Sequence, residues 1–121
     1  MDNKEFEKDL EKRTKQFAIA IIKLSSSLSN SKEESVIKNQ ITKSGTSVGA
    51  NYREANRARS KADFSNKIKI CESEVSETVY WLELIKEMNW IPDSKITSVL
   101  KEANELLAIF TSIGKKLKCK K

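Results

Sequence analysis

Phe64, Ile68, Cys71, Val75, Thr78, Leu82 and Ile85 follow one another at steps of four and three, with no glycine or proline in between. A stripe that holds this step for three heptads stays on one side of an α-helix and cannot stay on one side of a strand. The same arithmetic recurs along the chain. Phe6, Leu10, Phe17, Ile21, Leu24 and Leu28 mark a first helix, and Ile37, Ile41, Ser44, Val48, Asn51, Ala55 and Ala58 a second. Ile96, Val99, Leu100, Ala103, Leu106, Leu107, Phe110, Ile113 and Leu117 mark a fourth, with doubled positions that widen its apolar arc. Three glycines and one proline in 121 residues leave too little turn chemistry for an all-β chain.

Breaks between the stripes carry their own signals. The serine-rich stretch from Ser25 to Ser31 competes with helical backbone bonding, and Ser31 with Glu34 reads as a capping box. Ser60 followed by Asp63 gives a second N-cap, and Pro92 with Asp93 a third break. Gly114 and the lysines after it read as the fraying, cation-bearing end of the last helix. Helices are therefore expected over about 4–29, 32–58, 61–89 and 94–116. Short connections make neighbours antiparallel, so the expected fold is all-α, an up-down-up-down four-helix bundle forming one domain over 1–121 with a Lys-rich tail at 115–121. The seam of the second helix is small and polar over Ser44, Gly45, Thr46, Ser47, Gly49 and Ala50, which predicts an unusually close neighbour rather than a phosphate loop.

Composition narrows the function. The chain has no histidine, which removes His-based acid/base catalysis, Ser-His and Cys-His nucleophile pairs and the commonest zinc ligand. Glu74 and Glu77 share a helical face, but without histidine they do not complete a bundle di-metal signature. Cys71 and Cys119 have no metal-ligand spacing and read as free thiols in a reducing compartment. The apolar run from Phe17 to Ile22 is far shorter than the roughly 20 residues a membrane span needs. The chain is expected to be cytoplasmic, with no catalytic residue, cofactor, metal or small-molecule substrate.

Charge is unevenly spread along the chain. Residues 31–69 hold nine basic and four acidic side chains, a local +5, whereas residues 70–113 hold three basic and eight acidic, a local −5. Two uses suit this pattern: pairing between copies of the chain, or presentation of the basic segment to RNA or DNA. The nucleic-acid reading places Arg53, Arg57, Arg59, Lys61, Lys67 and Lys69 against phosphates, with Tyr52 as the aromatic nearest to them. The association reading rests on a second stripe beside the core seam of the third helix and on the broad arc of the fourth. Ile70, Trp81, Leu84, Met88, Val99 and Leu106 are its candidate interface residues. Asn51 on the seam of the second helix is expected to bond Ser44 or Glu77 and fix helix register.

Ser44-Gly-Thr-Ser-Val-Gly-Ala-Asn51, then Arg53-Glu54-Ala55, Arg59-Ser60, Asp63-Phe64 and Glu77-Thr-Val-Tyr-Trp-Leu-Glu-Leu84, resembles the bundle proteins encoded in intervening sequences of bacterial 23S rRNA genes. The similarity spans about residues 10–117. It implies a homopentameric ring of up-down bundles with no established enzymatic activity. A related branch, accessory proteins of diversity-generating retroelements, implies a basic surface that meets nucleic acid and a reverse transcriptase. Two functions are thus expected as alternatives: a self-assembling bundle of undefined role, or a nucleic-acid-binding accessory protein.

Overall fold

In the computed structural model, which describes residues 3–119, four helices follow in order: α1 (Asn3–Ser25), α2 (Lys32–Asn56), α3 (Lys61–Met88) and α4 (Asp93–Cys119). α2 packs on α1 and α3, and α4 packs on α3 and α1, while the diagonal helices keep their backbones apart and meet only through side chains in the core. The arrangement is a square, antiparallel, up-down-up-down four-helix bundle.

The caps explain where the helices start. Ser31 Oγ accepts the Glu34 N–H at 3.1 Å, and the Glu34 carboxylate reaches back to the Ser29 N–H at 2.9 Å and hydroxyl at 2.6 Å. These bonds from Ser29 hold the Glu34 carboxyl below the usual carboxylate range. Ser60 caps α3 in the same way, accepting the Asp63 N–H at 3.0 Å.

The ends differ from the periodic pattern in instructive ways. α1 stops at Ser25 rather than near residue 29, and the hydroxyls of Ser26 and Ser27 turn back to the Lys23 carbonyl at 2.8 and 3.3 Å. Leu28 is still buried, from a turn. α2 ends at Asn56, so Arg57 and Arg59 stand in the α2–α3 turn rather than on a helix. α3 ends at Met88 because Asn89 takes the left-handed conformation, φ 57° and ψ 33°, of a helix C-terminus. α4 begins directly after Pro92 and does not fray at Gly114 but runs on to Cys119, so Lys115, Lys116 and Lys118 are helical. Lys120 and Lys121, the rest of the expected tail, lie outside the described residues.

One core draws on all four helices, with Phe17, Ile21, Ile41, Val48, Tyr52, Ile68, Leu82, Ile85, Ile96, Leu106 and Phe110 among its fully or almost fully buried side chains. α1 and α2 are in close contact at Gly45, where a Cβ would stand 2.7 Å from Ile21 Cγ2, and at Gly49, where it would stand 3.1 Å from Thr14 Oγ1. The small seam therefore does what its composition predicts. On the far side of α1, Arg13 closes the square by gripping Glu102 of α4 with two nitrogens, at 2.6 and 2.8 Å, and Glu105 at 2.7 Å. Such a fork is geometrically specific, although its partial exposure limits its contribution to stability.

Two glycine substitutions should separate packing from propensity. Gly45→Ala drives a methyl into the fully buried, stiff, β-branched Ile21. Overpacking of about 1–3 kcal/mol should outweigh the roughly 0.5–1 kcal/mol that alanine gains in a helix interior. Gly114→Ala meets only Glu72 Oε1 at 3.9 Å and should raise stability by up to about 1 kcal/mol. Urea denaturation of the two variants should therefore shift the midpoint in opposite directions.

Candidate interaction surfaces

The polar pair at the α2–α3 seam is Ser44 with Thr78, not Ser44 with Asn51 or Glu77. The two hydroxyls are hydrogen-bonded at 2.8 Å, both residues are buried, and Thr78 Oγ1 also lies 2.7 Å from the Glu74 carbonyl. Asn51 instead turns along its own helix, its Nδ2 donating to the Ser47 carbonyl at 2.8 Å, and Glu77 is exposed. From Val48 a helix can return to its seam after three residues or after four. Burying the Tyr52 ring gains more than burying an amide, so the seam steps to Tyr52. A few residues further along the seam, the Cys71 thiol contacts the Val48 carbonyl at 3.6 Å, and burial pushes its pKa up to about 12. That thiol is unreactive.

Tyr52 is consequently not available to stack on a base. Its ring meets Phe110 edge-on at 5.7 Å, and burial pushes the phenol up to about 12. Burial, with Glu77 as the next cause, also raises the Glu74 carboxyl above its usual range. No group of three His, Cys, Asp or Glu side chains among the described residues is placed to hold a metal ion.

The basic residues gather at one end of the bundle, where α2 and α4 finish and α3 begins. Arg53 and Lys67 are drawn towards Glu11 and Glu54, at 3.9 and 3.8 Å. Arg57, Arg59, Lys61 and Lys69 are exposed and make no ion pair with a described residue. Topology adds what sequence distance hid: Lys115 and Lys118 of α4 share a groove with Lys69, Ser65 and Glu72 of α3, and Thr111 donates to Glu72 at 2.8 Å beneath them.

The candidate association residues divide by depth. Ile70 and Met88 are 39% and 56% exposed, and Trp81, Leu84 and Val99 are half-buried. Leu106 is fully buried in the core and cannot meet another subunit. Of the doublet Leu106–Leu107 only one member can face inwards, and Leu107 takes the outer place. Tyr80, which the stripe does not include, is 54% exposed and stands edge-on to Trp81 at 5.2 Å. Among the described residues the Trp81 indole N–H is the buried side-chain donor left without an acceptor.

These residues define the class of antiparallel four-helix bundles, with exposed cations at one end and exposed aromatic and apolar side chains on α3. The chain belongs to the 23S rRNA-intervening sequence protein family, whose model matches residues 7–112. A solved structure is similar over nearly its whole length: a protein of unknown function from the S23 ribosomal protein family of Bacteroides thetaiotaomicron, 40% identical. The alignment covers 87% of this chain and 97% of that one, with a TM-score of 0.80. No curated protein matches the chain. No helix among the described residues is long and apolar enough to cross a membrane.

The Ser44–Thr78 pair gives a direct test of the seam. Thr78→Val should destabilise the fold by about 1–3 kcal/mol by leaving the buried Ser44 hydroxyl with only its long, 3.4 Å bond to the Ile41 carbonyl. Adding Ser44→Ala should recover much of that loss, since removing both partners leaves nothing unsatisfied. A double-mutant cycle by chemical denaturation measures the coupling, and Asn51→Ala should show none with Thr78→Val.

Proposed function

We propose that the protein is a non-enzymatic helical bundle that works in the cytosol by assembling with copies of itself. The observation that carries this reading is the outer face of α3, where Ile70, Tyr80 and Met88 are exposed beside half-buried Trp81 and Leu84. An apolar and aromatic strip of this kind on a slender bundle is covered in use. Light scattering of the full chain should give a mass above that of one protomer, falling to one protomer on Tyr80→Glu with helix content unchanged. A wild-type chain that stays monomeric throughout the micromolar range would remove the reading.

The basic end supports a second use, binding to the backbone of RNA or DNA. Its support is the set of cations without counter-charges among the described residues, Arg57, Arg59, Lys61 and Lys69, with Lys115 and Lys118 beside Lys69. Binding to single-stranded and duplex nucleic acid should weaken steeply with salt. Arg57→Glu with Arg59→Glu should lower the log–log slope by about one for each phosphate that is no longer neutralised. Absence of binding at low salt counts against this use and leaves self-assembly untouched.

A further inference from the structure

The groove between the first half of α3 and the last turns of α4 encloses about 280 Å³. That is just below the roughly 300–1,000 Å³ of sites that enclose a drug-sized ligand, so the groove suits a small group rather than a whole cofactor or a folded partner. Lys69 stands on its α3 wall, Lys115 and Lys118 on its α4 wall, and Leu117 supplies an apolar edge. The floor beside Gly114 is open, since even a Cβ there would come no nearer than 3.9 Å to Glu72 Oε1.

The hydroxyls of the groove behave differently from those elsewhere on the helices. Thr46, Ser47 and Thr97 turn back onto carbonyls of their own helix at 2.7, 2.6 and 2.8 Å. The Ser65 hydroxyl makes no hydrogen bond with a described residue and is left to the groove. Thr111 donates to Glu72 at 2.8 Å, which holds that carboxylate against the α4 wall.

Charge then selects the ligand. Three ammonium groups against the one Glu72 carboxylate leave the groove at a net +2, and none of the three lysines makes an ion pair with a described residue. A phosphate within a polynucleotide backbone carries a single charge, whereas a terminal phosphate carries roughly −1.5 to −2 at neutral pH and three acceptor oxygens. Lysine meets such a group as a compact charge with three donors.

We infer that this groove binds a terminal phosphate group, carried either by a small phosphorylated compound or by the end of a polynucleotide. Lys69, Lys115 and Lys118 neutralise the phosphate and Ser65 donates to it, while Arg57 and Arg59 in the α2–α3 turn take no part. The site goes beyond backbone binding at the basic end and does not depend on it.

Amide NMR of the full chain, titrated with inorganic pyrophosphate at low and constant ionic strength, tests the site. Resonances of Ser65, Lys69, Gly114 and Lys115 should shift together and saturate. Lys69→Gln with Lys115→Gln should weaken binding by about tenfold or more, and Arg57→Gln with Arg59→Gln should leave it unchanged. All four positions are exposed or half-buried, and circular dichroism checks that the variants are folded. The inference is overturned if no saturable shift appears at these residues, or if the two pairs of substitutions weaken binding equally, the mark of a diffuse field. Oligonucleotides that differ only in a terminal phosphate or terminal hydroxyl then distinguish the source. Preference for the phosphorylated end, lost in Lys69→Gln with Lys115→Gln, supports the site with a polynucleotide end as its ligand. Pyrophosphate binding without that preference supports it with a small phosphorylated compound, and loss of oligonucleotide binding alone counts only against the backbone reading.

Discussion

Everything in the bundle is built around the approach of α2 to α1 at Gly45. Because that residue lacks a Cβ, Ile21 occupies the space where one would stand, and the two helices sit closer than ordinary side chains allow. This approach places Thr14 against Gly49 and Ser25 within 2.9 Å of Thr42. With α1 drawn tightly onto α2, its packing against α4 is the lightest of the four, and Arg13 spans it with a fork onto Glu102 and Glu105. A close, small-residue seam on one side of α1 and a charged clamp on the other are two solutions to the same closure.

A square of four helices has a consequence that no choice of core residue can avoid. Each helix meets two neighbours and turns one side outwards, so apolar residues spread over a wide arc are partly excluded from the interior. In α3 the excluded residues are Ile70, Tyr80 and Met88, and in α1 they are Phe6, Ile19 and Ile22. The cations follow a different logic. They collect at one end because antiparallel topology returns the finish of α4 to the start of α3, bringing Lys115 and Lys118 to Lys69 across some fifty residues of chain. Association along the helix sides and binding of a polyanion at the end are therefore physically compatible in one molecule.

Much of this fold is legible in the residue order. The stepping apolar positions, the caps at Ser31 and Ser60 and the close approach at Gly45 all follow from local chemistry. What escapes that reading are choices between near-equivalent local solutions. Asn51 and Tyr52 both lie within a seam's tolerance of Val48, and burial selects the tyrosine. Leu106 and Leu107 are equally apolar, and only the direction of the core separates them. Gly114 and the following lysines look like a helix end, yet packing carries α4 past them. The Arg13 clamp joins residues 89 apart, and no local pattern marks it.

The central claim is that the outer face of α3 is covered by other copies of the chain. Hydroxyl-radical footprinting across a dilution series measures this at single residues, since oxidation follows exposure. Met88, Tyr80 and Ile70 should become protected together as concentration rises. Unchanged oxidation of all three from the most dilute to the most concentrated sample would contradict the account.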